Sequence, residues 1–223
     1  MHIDGVSKVR RSFEHIAPEV VGNVRRFLLS EVSGKNALIQ KLHSIGMDMD
    51  KSNPVISDIL ARVKQLEAYG YQFEGADASF ELLAKRMTGE YKQHFKLVMY
   101  KTNEECPAPE GERNSFAFIK IAVGDRYEVS ASQGNGPVNA LDMALRRALS
   151  VFYPSIDGTE LVDYKVRVLD TGSATGSKVR VLVESRAGNM RWTTIGVSTD
   201  IIEASWSALV DAMEYYLSKF DRV

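Results

Sequence analysis

Residues 134–137 (GNGP) constrain the fold of this chain most strongly, because they join a strand pattern to a helix pattern. Residues 126–131 alternate polar and apolar side chains, as a half-buried strand does. Residues 138–149 carry an apolar stripe at helical spacing. The two glycines let the backbone approach closely, and proline fits the first turn of a helix. The sequence predicts a tight strand-to-helix turn, and its free amides also suit a small carboxylate.

The same order of elements occurs twice in the second half of the chain. Three strand patterns and a helix occupy about residues 91–153, and three strands and a helix follow at about 160–223. Laying one helix on the other pairs small or apolar residues at helical spacing: Ala140 with Ala204, Ala144 with Ala208, Leu145 with Leu209 and Ala148 with Ala212. The matching order and spacing predict an internal duplication of a βββα unit.

The first part of the chain has a different character. Residues 1–33 are poor in apolar side chains at their start and interrupted by proline and glycine, which predicts a connector to a further domain. Residues 34–90 predict a small helical subdomain, in which Asn53 and Pro54 begin a helix. The predicted fold class is therefore α+β, with a helical linker subdomain followed by a duplicated βββα domain at 91–223.

Composition excludes several functional classes. The 223 residues carry a net charge of −1 and are 44% hydrophobic, as expected for a globular chain with more than one compact unit. This charge balance gives no indication of nucleic acid or an anionic membrane surface. No apolar run approaches the roughly 20 residues that span a bilayer, and no signal-peptide pattern opens the chain. We expect a cytoplasmic protein.

Metal and catalytic sites are not expected in this chain. Cys106 is its only cysteine, so an internal disulfide and a thiolate metal site are excluded. The four histidines lack metal-binding spacing, and no nucleophile elbow or Walker loop is present. We predict no catalytic residue, no metal ligand and no cofactor.

A duplicated βββα unit has a consequence for assembly. Each unit is a sheet with a helix across one face, which leaves the other face to be covered. The two repeats of one chain can pack against each other, and two copies of the chain can then form a dimer. We therefore predict a homodimer with a small-molecule site near the two helix starts, at residues 134–137 and 198–201.

Segments along the whole chain resemble, in order, motifs of the 2-isopropylmalate and citramalate synthase family. These segments are residues 13–23 (FEHIAPEVVGN), 30–34 (SEVSG), 70–80 (GYQFEGADASF), 134–140 (GNGPVNA), 163–167 (DYKVR) and 196–206 (GVSTDIIEASW). Within the family, residues 178–185 and Trp206 look most like citramalate synthase. Phe13 and Ala17 depart from the tyrosine and aspartate that are usual in the family.

The resemblance implies that the chain is the C-terminal, regulatory part of a longer acyltransferase of branched-chain amino-acid biosynthesis. Citramalate synthase condenses acetyl-CoA with pyruvate on a catalytic barrel that holds a divalent metal. This chain lacks the barrel and is expected to be inactive alone. His2 would belong to a region that, in the family, approaches the neighbouring subunit's active site. Isoleucine is the implied feedback inhibitor, and leucine plays that part in 2-isopropylmalate synthase.

The effector site is predicted from this combination of features. A carboxylate would take backbone amides at a helix start, and the aliphatic side chain would pack on apolar residues. The predicted effector-binding residues are Gly134, Asn135, Gly136, Pro137, Val138, Ala140, Leu161, Tyr164, Val166, Val168, Val197, Ser198, Asp200, Ile201, Ile202 and Glu203.

Three acids, Asp163, Asp200 and Glu203, are candidates to accept the α-amino group of the effector. Asp200 equally suits a helix N-cap, and Glu203 a charge that complements the helix dipole. Two alternatives to isoleucine sensing stay open: a leucine-sensing region of 2-isopropylmalate synthase, and a dimerisation module without a ligand.

Overall fold

The computed structural model describes residues 34–105, 114–169 and 174–220. Residue contacts divide the chain into two compact units, Met1–Ala68 and Tyr69–Val223. The predicted connector at residues 1–33, with His2, Phe13 and Ala17, lies outside the described residues.

The described part of the first unit consists of two helices. Helix α1 spans Lys35–Ser44 and ends before Gly46, whose φ of 81° lies in the left-handed region. Helix α2 spans Pro54–Tyr69, so that its last residue already belongs to the second unit. The Asn53 side chain caps α2 by accepting a hydrogen bond from the Val55 amide at 3.0 Å. Each helix buries an apolar face.

Helix α3 (Asp77–Thr88) lies in the second unit. Its Ser79 hydroxyl accepts a hydrogen bond from the Ile195 amide at 3.1 Å and donates one to Asp211 at 2.9 Å. Arg86 forms an ion pair with the same aspartate at 2.8 Å. These contacts attach α3 to an edge strand and to the last helix of the unit, while the predicted subdomain boundary at residue 90 stays a prediction.

Two βββα repeats follow in the order that the sequence predicts. The first repeat comprises β1 (Lys96–Glu104), β2 (Ser115–Val123), β3 (Arg126–Gly134) and α4 (Pro137–Ser150). The second comprises β4 (Thr159–Val168), β5 (Val179–Ala187), β6 (Met190–Ser198) and α5 (Ile201–Phe220). Each set of strands forms an antiparallel sheet in chain order. The predicted α+β class and the duplicated βββα architecture are therefore confirmed.

The two repeats share one hydrophobic core. Helix α4 packs on β2 and β3, helix α5 packs on β5 and β6, and the two helices contact each other. Fully buried side chains from both repeats belong to the same cluster, including Ile119, Leu145, Val181 and Leu209. The repeats therefore fold as one body rather than as two separate domains.

A glycine allows each helix to approach its sheet closely. A Cβ atom on Gly134 would lie 2.4 Å from the backbone nitrogen of Ala140, and one on Gly196 would lie 1.9 Å from the carbonyl oxygen of Ala204. Ala140 and Ala204 are the positions that the duplication pairs. The two repeats use glycines at different strand positions, but both bring a strand backbone against the paired alanine.

A buried carboxylate ties the two repeats together. Glu214 of α5 is only 1% exposed and accepts hydrogen bonds from the backbone amides of His94 and Phe95. Its other oxygen lies 2.8 Å from Nδ1 of His94. The start of the first sheet is thereby fixed to the last helix of the second repeat. Removing one partner of such a buried contact leaves a polar group without its hydrogen bond, which destabilises the fold.

Candidate functional site

The start of helix α4 is open. Gly136 is its N-cap residue, with extended φ and ψ of 180° and 167°, and no side chain in the described part of the chain caps the helix. Pro137 occupies the first turn, and the Ala140 amide donates to the Gly136 carbonyl at 3.0 Å. A Cβ atom on Gly136 would meet nothing within 4 Å. The Val138 and Asn139 amides thus have no side-chain cap, at a helix end that favours an anion.

A buried hydroxyl lies beside this helix start. Strand register places Ser115 directly opposite Gly134, and Ser115 is only 1% exposed. Among the described residues, its Oγ has no hydrogen-bond partner. A buried polar group without a partner is uncommon in a native fold and requires an explanation. A bound polar ligand at the α4 start would supply one.

The start of helix α5 is occupied by the chain's own side chains. Asp200 Oδ1 accepts hydrogen bonds from the Ile202 amide at 2.7 Å and the Glu203 amide at 3.3 Å. The Ser198 hydroxyl accepts from the Asp200 amide at 3.1 Å and donates to Glu203 at 2.5 Å. Asp200 therefore acts as the N-cap of α5, which is one of the two roles that the sequence left open for it. The two helix starts therefore differ: α5 has an internal cap and α4 has none.

The first repeat reaches the α5 start through Tyr100 of β1. Burial raises the pKa of the Tyr100 hydroxyl, and the negative charges of Asp200 and Glu203 raise it further. The Tyr100 ring also lies 5.2 Å from the Trp206 ring, measured between centroids. The capped helix start is thus flanked by a strand of the other repeat.

Two valines of β4 are exposed on the helix-facing side of the second sheet. Val166 pairs with Val181 and Val168 pairs with Val179, and Val181 is fully buried on that face. Val166 is nevertheless 41% exposed and Val168 51% exposed, because α5 covers β5 and β6. We call Val166 and Val168 the β4 strip. Ile201, at the start of α5, is also exposed, at 43%.

The other predicted apolar residues are distributed differently. Tyr164 and Leu161 pack against the core, and the Tyr164 hydroxyl lies 2.7 Å from that of Ser205. Ile202 is half-buried against the same core. Val197 is buried but pairs with Arg180, so it lies on the sheet face opposite to Ser198. The described hydrogen bonds do not join residues 134–140 to residues 197–203.

Asp163 lies apart from the β4 strip. Its register partner is Glu184, on the face opposite to Val166 and Val168. Lys165 donates a hydrogen bond to Asp163, and this contact lowers the pKa of the Asp163 carboxyl. Of the three predicted acceptors for an α-amino group, Asp200 and Glu203 lie at a helix start and Asp163 does not.

A separate hollow of about 570 Å³ lies over the first sheet. Its lining includes Lys101, Phe116, Phe118 and Arg147, and none of the predicted effector-binding residues. Nearby on the same sheet face, Tyr127 and Val129 are exposed. This face is the one that the sequence analysis expects a partner to cover.

Sequence reasoning missed Ser115 as a residue of the α4 start. Ser115 alternates in step with Ala117, Ile119 and Ile121, so the strand pattern alone could have placed it on the same buried face. Its proximity to Gly134 depends on strand register, which the sequence does not reveal.

Within residues 34–105, 114–169 and 174–220, no three His, Cys, Asp or Glu side chains cluster as metal ligands would. No helix in those ranges combines the length and apolar character of a membrane span.

Comparison with known proteins identifies related families for both parts of the chain. The family of the LeuA allosteric (dimerisation) domain matches residues 74–217, and the homocitrate synthase post-HMGL domain-like family matches residues 1–70. The boundary between the matches lies close to the boundary between the two compact units.

Curated relatives carry the name (R)-citramalate synthase. The chain is 43% identical to the protein of Geobacter sulfurreducens over all of its own length and 42% of the relative's. It is 44% identical to that of Synechocystis sp. over 97% of this chain and 40% of the relative, and 42% identical to that of Aquifex aeolicus over 98% and 42%. The chain spans about two fifths of the length of these relatives. The resemblance found in the sequence is confirmed, and the chain belongs to the LeuA allosteric (dimerisation) domain family.

Proposed function

We propose that this chain is the regulatory region of a citramalate synthase and that it binds isoleucine as a feedback inhibitor. Its relatives along the whole chain are named (R)-citramalate synthases, and its second unit belongs to a family described as allosteric. In this proposal, condensation of acetyl-CoA with pyruvate and the divalent metal belong to a catalytic barrel outside the chain. The region itself binds the effector and transmits its effect to the barrel. It catalyses no reaction.

The contrast between the two helix starts carries the proposal. The α5 amides are engaged by Asp200, whereas the α4 amides of Val138 and Asn139 have no side-chain cap. A carboxylate at the α4 start would accept those amides at the positive end of the helix dipole. The Ser115 hydroxyl beside Gly134, which has no hydrogen-bond partner within the described ranges, is a further donor in the same place. We therefore assign the effector's carboxylate to the first repeat.

Pairing of two chains would complete the site. The β4 strip and Ile201 are apolar and exposed within one chain, and the family is described as dimerising. Covering this strip with a second copy would bury apolar surface, which favours association. It would also enclose an aliphatic side chain among apolar groups, as small-molecule sites usually do. We propose a homodimer in which the effector's side chain packs on the β4 strip.

Thermal unfolding of the chain with a panel of amino acids tests this function. A ligand that binds only the folded state at 100 times its Kd stabilises it by about 2.7 kcal/mol. For a domain of this size that corresponds to a rise in Tm of about 5–10 °C. We expect isoleucine to produce the largest rise, leucine a smaller one, and alanine none.

Two outcomes of this panel would contradict the proposal. A flat response to every amino acid would indicate a dimerisation module without a ligand. A larger shift with leucine than with isoleucine would indicate the specificity of a 2-isopropylmalate synthase.

A further inference from the structure

Residues 69–72 are the first residues of the second unit, and we call them the junction. Gly70 has a φ of 131°, in the region that favours glycine. A Cβ atom there would lie 2.4 Å from Cδ1 of Leu169 and 3.2 Å from Cγ1 of Val197. The junction backbone therefore lies directly against the ends of β4 and β6.

Two basic side chains at the start of β5 hold the junction in this position. Arg180 donates hydrogen bonds from Nε to the Gly70 carbonyl and from Nη1 to Oε1 of Gln72, both at 2.6 Å. Lys178 lies over the Tyr69 ring, with Nζ 4.2 Å from the ring centroid. We call these contacts of Arg180 and Lys178 the junction clamp.

The charge of Arg180 does not stabilise the pairing of β4 with β5. Both hydrogen-bond acceptors of Arg180 are uncharged, and Arg167 stands directly opposite it on β4. Burial lowers the pKa of Arg180, and the Arg167 charge lowers it further. Like charges directly opposite each other destabilise a sheet. The arginine at position 180 is therefore better explained by its contacts with the junction than by a contribution to strand pairing.

The clamp lies at the same strand ends as the β4 strip, on which we place the effector's side chain. Register aligns Val168, Val179 and Ser198 across the second sheet on its helix-facing side. One position further along, Arg167, Arg180 and Val197 align on the opposite side. A ligand or second copy that shifts Val168 therefore moves the paired backbone at Val179, next to Arg180.

We propose that Arg180 is a positioning residue that couples occupancy of the effector site to the junction at the start of the second unit. This inference rests on the proposed function, because it needs an effector that binds the second unit. In the bound state the strand ends are held in one arrangement and the clamp closes on Gly70 and Gln72. In the free state the clamp opens more often, so that the chain at the junction is less constrained.

Amide hydrogen exchange of residues 69–73 in the 223-residue chain, with and without isoleucine, tests the coupling. Allosteric coupling free energies typically correspond to about 5–150-fold changes in an equilibrium. We expect isoleucine to slow exchange at the junction about fivefold or more. In Arg180→Gln this protection should disappear, and because coupling is reciprocal, isoleucine should bind more weakly by a similar factor.

Three further variants separate coupling from a general loss of structure. Arg180→Lys retains the positive charge but can reach only one of the two acceptors. It should restore part of the protection by isoleucine. Gln72→Ala removes only the side-chain acceptor of Arg180. It should reduce the protection by isoleucine, and it tests the coupling even if Arg180→Gln folds poorly. Arg191→Gln is the matched control, since Arg191 is an arginine of the same sheet face that bonds Glu184 at 3.0 Å. It should leave both the exchange difference and the affinity unchanged.

The outcomes distinguish the coupling from the proposed function. If isoleucine binds but leaves exchange at residues 69–73 unchanged, or if Arg180→Gln keeps the full difference, the coupling is wrong and the effector site stands. If isoleucine does not bind at all, the proposed function fails and the coupling fails with it.

Discussion

Replacing Gly196 with alanine is expected to lower the free energy of unfolding of the second unit by about 3 kcal/mol or more. The added Cβ atom would lie 1.9 Å from the Ala204 carbonyl oxygen and 3.1 Å from the Ala208 nitrogen. Both neighbours are helix backbone, so the clash is relieved only if α5 moves away from its sheet. Urea unfolding monitored by tryptophan fluorescence would measure the loss, since Trp192 and Trp206 belong to the core of this unit.

The first repeat supplies a parallel variant, and a turn supplies the control. Gly134→Ala should also destabilise the unit, because its Cβ atom would lie 2.4 Å from the Ala140 nitrogen. Gly158→Ala meets nothing within 4 Å and should change the free energy of unfolding by no more than about 0.5 kcal/mol. If Gly196→Ala were as stable as Gly158→Ala, the close approach of α5 to β6 would be wrong.

Replacing Gly136 with phenylalanine is expected to abolish isoleucine binding while the fold persists. Its extended backbone suits any residue, and a side chain there enters open space before α4. That space is where we place the effector's carboxylate. We expect affinity to fall about 100-fold or more, which corresponds to about 2.7 kcal/mol. Titration calorimetry would measure the affinity, and thermal unfolding would show whether Tm is retained.

Two matched substitutions define the control for this experiment. Gly136→Ala adds one methyl group at the same place and should weaken binding far less. Gly158→Phe adds the same ring at another glycine with open space, and should leave isoleucine affinity unchanged. Wild-type affinity in Gly136→Phe would exclude the α4 start as the carboxylate site.

The fold could be predicted largely from local patterns. Alternation identified β2 and β3, and helical spacing with Pro137 identified α4. These signals depend on residues close in sequence, which is why they survive without knowledge of the tertiary structure. The ends of strands depend on pairing instead: β1 extends to Glu104, which pairs with Ser115 of β2.

The candidate site could be predicted only in part. The sequence pointed to both helix starts but left the role of Asp200 open, and the hydrogen bonds that make it a cap are visible only in the folded chain. Register, which pairing between distant segments decides, placed Ser115 beside Gly134. The contact of Arg180 with Gly70 joins residues more than a hundred positions apart, and no local pattern indicates it.

Calorimetric titration of the 223-residue chain with isoleucine and leucine tests the central claim most directly. We expect saturable isoleucine binding below millimolar concentration, with leucine weaker by about tenfold or more, as a shifted methyl group in an apolar pocket allows. Absence of binding by both amino acids at millimolar concentration, or tighter binding of leucine, would contradict the account.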